Sequence, residues 1–551
     1  MVKDTIQNGQ NGSKNFLFKT QNTIISAAFV IAVTYGISAV LALVRARLLA
    51  HFFGISDDLA VFYTADKIPG FIYSILVVGT LSTVFIPIFA SELRDNEKIA
   101  WKTASSMITV SMGFFTFLSC IVFIFSPQII DLLAIHKFTA EQVILGSNLM
   151  RIMLVAQLVL VVSSFITSIL QSFKYFIIPA IAPVFYNVGM IVGIVFLFPK
   201  FGIYGAAAGV LIGAILHLLV QIPLMKKINF NFSLTLDLKD KGLKEIFSLM
   251  PSRIFGTSVI QISDVINNSL AILISTSSVI FFKFASQLQS FPVNLFGASI
   301  ALAALPTLSF ESLEADREKF KKTFLTSFHQ MLFLVIPASV ILLVLRVPAV
   351  RLVYGASKFP WDATILTSYT LGFFSLSIFA QSATYLLTRS FFALKDTITP
   401  VKVNLATIAV GASLALFFIR VMHFGVWSIA LAGSISTILD MFLMLALLSK
   451  KVGGFGKRAL MLPFFKIGVS AIFMGLSLYI PMKLLDIYVL DTTKTINLII
   501  LTIVVSIAGF FSYVIFTSLF KVDEVQLLYK LLKKMNLSIP ILTRISDKVI
   551  E

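Results

Sequence analysis

The sequence predicts an all-α polytopic membrane protein of about fourteen transmembrane helices. Three observations predict it. Of its 551 residues, 58% are hydrophobic and 13% charged, whereas a soluble domain is nearer half apolar and a quarter charged. The apolar residues gather into repeated runs of roughly 20, each long enough to cross a hydrocarbon layer of about 30 Å. The mean hydropathy is +0.96, and there are 54 phenylalanines, far more than a soluble core would use.

Spans are expected at 23–48, 67–90, 103–126, 143–171, 176–198, 203–224, 243–274, 278–308, 324–346, 363–392, 400–420, 424–449, 460–481 and 495–520. Residues 1–22 form a polar tail without the short apolar run and small-residue cleavage site of a signal peptide. Residues 521–551 are basic and amphipathic, suited to a membrane surface. The basic loops are 226–244, 311–322, 450–458 and this tail, whereas 275–278 and 486–494 carry few cations. Cytoplasmic loops are rich in Lys and Arg, so both termini are expected on the cytoplasmic side.

The net charge of +18 would raise nucleic acid as a partner for a soluble chain. Here the cations sit in short loops between spans, so no nucleic acid is expected. Cys120 is the only cysteine, and the five histidines lack metal-ligand spacing. There is no GxxxxGK[ST] phosphate loop and hence no ATPase of its own. No nucleophilic triad or carboxylate pair stands out. Transport, not catalysis, is the expected class.

An ionisable side chain inside a span costs at least about 2.5–3.5 kcal/mol at the bilayer centre and tends to face a cavity or partner. Those within or at the ends of spans are Arg45, Arg47, Asp66, Lys67, Arg151, Arg253, Asp264, Lys283, Arg389 and Asp440. Cations predominate, which suits an anionic headgroup such as a diphosphate. Arg47, Lys67 and Arg389 have an alternative, snorkelling to the interface. Arg151 has another, tethering to helix-end carbonyls. Asp264 and Asp440 can pair with a cation, carry a proton or hold a coupling ion. Pro179, Pro183, Pro251, Pro292, Pro306 and Pro400 are expected to kink their helices.

Four ordered segments carry a resemblance. The first is 52–93, FFGISDDLAVFYTADKIPGFIYSILVVGTLSTVFIPIFASEL. The second spans 174–223, with IPAIAPVFYN followed by FGIYGAAAGVLIGAILHLLVQIP. The third is 250–309, where MPSRIFGTSVIQISDVINN leads to FPVNLFGASIALAALPTLS. The fourth is 388–404, TRSFFALKDTITPVKVN. Together they resemble the MurJ/MviN lipid II flippases, of the MATE-like exporter superfamily. The resemblance implies two six-helix lobes around a central cavity, plus two C-terminal helices forming a lipid groove. The N-lobe would be 23–224, the linker 225–242, the C-lobe 243–449 and the groove helices within 450–520. It further implies that the chain moves lipid II, the undecaprenyl-diphosphate-linked peptidoglycan precursor, between leaflets of the cytoplasmic membrane.

The cation pattern departs from the family's. Of two span 1 arginines, Arg45 is kept and the other falls on Ala39, while the acid after Arg45 is Ala46. The span 2 arginine falls on Tyr73, and the usual AEG reads Val77-Val78-Gly79. The loop acid falls on Ala60, beside Asp57 and Asp58. The span 8 A-D-R motif reads Ala285-Ser286-Gln287. Lys283 lies four residues before Gln287, on the same helix face, and is expected to restore that cation. The expected headgroup set is Arg45, Lys283, Gln287, Arg253, Arg47 and Lys67. Asp264 and Asn267 are the expected coupling-cation site, for a monovalent cation, or the membrane potential serves instead. Other expected partners are membrane lipids and cell-wall synthesis enzymes. The alternatives are a flippase for another lipid-linked oligosaccharide, an ion-coupled multidrug exporter, and a non-transporting scaffold.

Overall fold

The computed structural model describes residues 24–77, 84–235, 237, 241–313 and 317–526, and among these no strand occurs. The N-terminal tail 1–22 and residues 527–551 of the C-terminal tail lie outside the described residues. The helices are α1 (Ile24–Phe53), α2 (Asp57–Ala65), α3 (Lys67–Val77), α4 (Ile86–Asp95), α5 (Glu97–Ile124), α6 (Ser126–Leu133), α7 (Ala140–Ser172), α8 (Ile177–Phe201), α9 (Ile203–Lys227) and α10 (Lys241–Ile274). They continue as α11 (Ser278–Glu311), α12 (Glu318–Val344), α13 (Arg346–Tyr354), α14 (Trp361–Ser375), α15 (Ile378–Ala393), α16 (Ile398–Arg420), α17 (Trp427–Val452), α18 (Lys457–Tyr488) and α19 (Thr495–Leu519).

Eleven of these helices are long and apolar enough to cross a membrane, or twelve if α14 and α15, bent by 46°, form one span. The described residues therefore do not reach the expected fourteen, and two expected spans make the difference. Span 67–90 contains residues 78–83, which lie outside those described. Span 243–274 is a continuous helix, Lys241–Ile274, and the side chains of several of its residues between 249 and 260 lie outside those described. The chain divides into unit 1 (1–280 with 356–360) and unit 2 (281–355 with 361–551). That division falls inside α11.

Small residues set the packing of unit 1. Without a hydrophobic force between helices in lipid, close backbone approach supplies the attraction. Gly205, Gly209 and Gly213 recur every fourth residue on α9 and meet Gly189 and Gly193 of α8. A Cβ on Gly193 would lie 2.2 Å from the Gly209 Cα, and one on Gly189 2.4 Å from the Gly213 Cα. The FG motif has its own reason. Gly54 has φ +63°, and a Cβ there would lie 2.2 Å from the Lys358 carbonyl oxygen. Lys358 in turn donates through Nζ to the Phe52 carbonyl at 2.9 Å, satisfying an orphan group at the end of α1.

Unit 2 contains the bent pair. Its break leaves backbone groups that side chains must satisfy. The Ser434 hydroxyl, from α17, lies 2.8 Å from both the Phe373 carbonyl and the Ser377 hydroxyl. The motif ALKDTITP builds the next corner. Lys395 has φ +59°, and Asp396 accepts from the Ile398 and Thr399 amides at 3.2 and 3.0 Å and from Lys451 Nζ. Unit 1 turns the same way at Lys174, φ +63°. Two spans also carry a π-helical turn, Gly193–Leu197 in α8 and Val293–Ala298 in α11, the latter directly after Pro292. The C-terminal pair α18 and α19 packs together through Ser477 and Ser512 (2.8 Å). Tyr513 donates to the Phe333 carbonyl of α12 at 2.8 Å. Their outer faces are apolar and exposed at Phe465, Ile472, Ile480, Ile503 and Ile507, as a lipid-facing surface requires.

Gly193→Val is expected to destabilise by about 1–3 kcal/mol, the range for forced overpacking, read as a lower Tm in detergent. Asp396 gives a pH signature. Burial alone would raise its pKa, but the Lys451 ammonium and the Thr399 amide and hydroxyl outweigh it and hold the carboxyl at about 2. Its stabilisation is complete above the unfolded value near 3.9 and vanishes as pH falls towards 2. Asp396→Asn should lower stability at neutral pH by about 1 kcal/mol, as lost caps do, and flatten the acid limb between about pH 4 and 2 in a thermal-denaturation series.

Candidate functional site

The site grows from Arg45, three-quarters of the way along α1. The residue is half-buried. Nη1 donates to Asn187 Oδ1 at 3.1 Å and meets Met190 Sδ at 3.0 Å, both on α8. Asn187 is buried, with 5% exposed, and is itself fixed. Its Nδ2 donates to the Ser38 hydroxyl at 3.0 Å and to the Pro183 carbonyl at 3.0 Å. The amide orientation is thus determined: the nitrogen faces α1 and its own helix, and the oxygen faces the arginine. The glycine seam between α8 and α9 holds α8 in place for this.

Around Arg45, unit 1 assembles more polar groups. Tyr63 of α2 and Tyr186 of α8 lie within electrostatic reach of both Arg45 and Asp66. Tyr73, the residue in the family's arginine position, pairs its hydroxyl with that of Ser164 on α7 at 2.8 Å. A neutral hydroxyl pair there removes the need for an anionic partner. Lys67 Nζ lies 2.6 Å from Asp264 Oδ2, with the lysine side chain 9% exposed and the aspartate 49%. Next to this pair in sequence, Asn268 donates to the buried Thr64 hydroxyl at 3.2 Å. α10 is therefore attached to the start of α3 by an ion pair and to α2 by a neutral hydrogen bond.

The expected site residues fall as follows. Arg45, Arg47, Lys67, Arg253, Asp264 and Asn267 belong to unit 1, and Lys283 and Gln287 to unit 2. Arg47 is exposed, as the interface alternative requires. Lys67 is not a snorkelling residue, because its ammonium is engaged by Asp264. That same contact puts an internal cation where the coupling cation was expected, and Asn268, not Asn267, makes the hydrogen bond to α2. The side chain of Arg253 lies outside the described residues. Lys283 and Gln287 are both half-buried on one face of α11. Their helix is held by Tyr354, which stacks on Phe284 at 4.2 Å and donates to its carbonyl at 3.1 Å. Arg389 is half-buried over the Phe392 ring.

Arg151 is a tether. Its Nε donates to the Phe123 carbonyl at the end of α5 (3.2 Å), Nη1 donates to Asn148, and the guanidinium lies over the Phe123 ring. It lines an apolar groove of about 220 Å³ with Thr116, Cys120 and Leu158. Asp440 is buried, and its two carboxyl oxygens lie at hydrogen-bond distance from the hydroxyls of Thr384 and Thr407. Asn187, Ser38, Tyr63, Tyr186 and Asn268 were missed from sequence. For Asn187 a signal was available, since it closes the otherwise apolar IPAIAPVFYN motif and an amide there needs partners.

A family model described as lipid II flippase MurJ matches residues 49–499. A probable lipid II flippase MurJ from Buchnera aphidicola subsp. Acyrthosiphon pisum is 31% identical over 412 residues, covering 74% of this chain and 80% of the relative. One from Thermotoga maritima is 30% identical over 496 residues, covering 89% and 95%. Among solved structures, lipid II flippase MurJ in an inward closed conformation superposes with TM-score 0.74 at 25% identity, covering 90% of this chain and 99% of that one. An inward-facing multidrug resistance MATE family transporter of the MOP superfamily shares the fold, with TM-score 0.63 at 15% identity over 77% of this chain.

A double-mutant cycle on Lys67→Ala and Asp264→Ala is expected to give a coupling of about 1–2 kcal/mol. That lies between the ranges for exposed and buried pairs, as the half-exposed Asp264 requires. Unfolding of the four proteins in detergent measures it, and additive losses would show that the pair contributes nothing.

Proposed function

Because the chain belongs to the MurJ lipid II flippase family, we propose that it carries lipid II from the inner to the outer leaflet of the cytoplasmic membrane by alternating access. The observation that carries this reading is the oriented, half-buried Arg45. The bonds to Asn187 and Met190 both use Nη1, and a guanidinium has five N–H donors in a rigid fork. A diphosphate suits that fork, whereas a cationic drug is repelled by it, so the exporter alternative is disfavoured. Binding the polar headgroup in a hydrated cavity avoids taking its charge through hydrocarbon. The polyprenyl tail stays in lipid along the exposed faces of α18 and α19.

In unit 2, Lys283 is an anion-binding residue of its own, a point charge where the family uses an arginine, with Gln287 on the same face of its helix. Lys67 is held in reserve by Asp264, and a diphosphate that reaches it competes with that carboxylate. An ion gradient or the membrane potential resets the carrier. Both termini face the cytoplasm, where cell-wall synthesis enzymes supply the substrate. A flippase for another lipid-linked oligosaccharide is the second reading, favoured by the replacement of family arginines at Ala39, Tyr73 and Gln287.

Expression in a bacterium depleted of its own lipid II flippase tests this. Wild type is expected to restore growth, Arg45→Ala to fail, and Asn187→Ala to reduce rescue by misdirecting the guanidinium. Rescue by Arg45→Ala would remove Arg45 from the site. Failure of correctly inserted wild type would favour the other glycan. Lys283→Ala is expected to impair transport, and unchanged transport would end its assignment as the replacement cation.

A further inference from the structure

Asp440 on α17 lies in unit 2 with 6% of its surface exposed. Thr384 of α15 lies 3.0 Å from Oδ2, and Thr407 of α16 lies 3.1 Å from Oδ1. Among the described residues, no Lys, Arg or His forms an ion pair with it. The helices packed against α17 carry Asp362 and Tyr369 (α14), Tyr385 and Arg389 (α15), and Lys402 and Arg420 (α16). α17 itself carries Lys450 and Lys451 at its end. None of these makes a hydrogen bond or ion pair with the Asp440 carboxyl. A carboxylate so placed keeps a full charge in an apolar bundle against two hydroxyl dipoles, which is costly.

The hydrogen count at Thr407 points the same way. Its Oγ1 lies 3.0 Å from the Val403 carbonyl, 3.1 Å from the Asn404 carbonyl and 3.1 Å from Asp440 Oδ1. A hydroxyl has one hydrogen and two lone pairs. Two carbonyls of its own helix, three and four residues back, compete for that hydrogen, as is usual for threonine in a helix. When they take it, two acceptor oxygens face each other at 3.1 Å unless the carboxyl carries a hydrogen. A proton on Oδ1 resolves the count: Asp440 donates to Thr407, Thr407 donates to its helix, and Thr384 donates to Oδ2. A bare metal cation fits poorly, since the oxygens already sit at hydrogen-bond separations and only four side-chain oxygens, from three residues, converge, where hard cations take a fuller cage.

We propose that Asp440 is a proton-binding site, occupied as a neutral carboxylic acid in this conformation. It lies where α15, α16 and α17 meet, so a rearrangement that parts them hydrates the carboxyl and lets the proton leave to water. On the flippase reading, this makes transport proton-linked, and the proton is the ion that resets the carrier.

Infrared spectroscopy of the purified protein in lipid bilayers at neutral pH tests the site without any transport assay. Wild type should show a protonated-carboxyl C=O band that is lost in Asp440→Asn, and sodium ions should leave it unchanged. Asp440→Asn preserves the hydrogen-bond pattern, with its NH₂ donating to Thr407, so its Tm should match wild type. Absence of the band in wild type would overturn the proposal, and replacement of the band by a carboxylate signal on adding sodium would convert the site to a cation site. In proteoliposomes carrying lipid II, an imposed pH gradient should change the wild-type rate and leave Asp440→Asn insensitive. Equal sensitivity of both would separate Asp440 from coupling even if the band is present. No transport by either would count against the flippase reading and leave the spectroscopic result standing.

Discussion

A charged side chain inside an apolar helix bundle must find its counterpart within a few ångströms, because the surroundings screen it poorly and water is not at hand. That constraint organises unit 1. Arg45 meets it with the carbonyl of Asn187 and Lys67 with the carboxylate of Asp264. The two solutions differ in kind. A neutral amide orients the guanidinium without cancelling it, so the positive field remains for an anionic ligand. A carboxylate cancels most of the ammonium field, so Lys67 is visible to a ligand only when Asp264 gives way.

The orienting amide is only as good as the helix that carries it. Asn187 lies two residues before Gly189 and six before Gly193, on the helix that the glycine seam draws against α9. Backbone contact at that seam has no flexible side chain to absorb a displacement. A small shift of α8 would therefore be transmitted directly to the carbonyl that Arg45 depends on. The packing motif and the amide that orients Arg45, adjacent in sequence, act as one device.

Much of this was legible in the sequence. Apolar runs gave the helical membrane class, and four ordered motifs gave the family. The depth of Arg45 in its run marked it as a charge that needs a partner. Arg151 was legible as one of two alternatives, and the helix-end carbonyl of Phe123 decided between them. The partners themselves were not legible. Asn187 is 142 residues from Arg45, and Asp264 is 197 from Lys67. Nothing in local periodicity reports which of several polar residues a fold brings across such distances. Among the described residues eleven or twelve spans are counted, because parts of the second and seventh expected spans lie outside them. The role of Asp440 depends on hydrogen counting at Thr407, which needs coordinates.

The two π-helical turns carry a geometric consequence of their own. A π turn inserts one residue beyond the ordinary repeat, so everything past it is rotated by about 100° relative to an unbroken α-helix. In α8 and α11 the angular bookkeeping therefore restarts at Gly193–Leu197 and at Val293–Ala298. Residues on opposite sides of such a turn that a helical wheel would align look out in different directions. Each of these helices thus presents two independently phased surfaces along one rod, one before the π turn and one after it. A deletion of a single residue within either turn would restore the regular winding and leave the distal half on its present azimuth, because the turn absorbs the extra residue without advancing the helical phase.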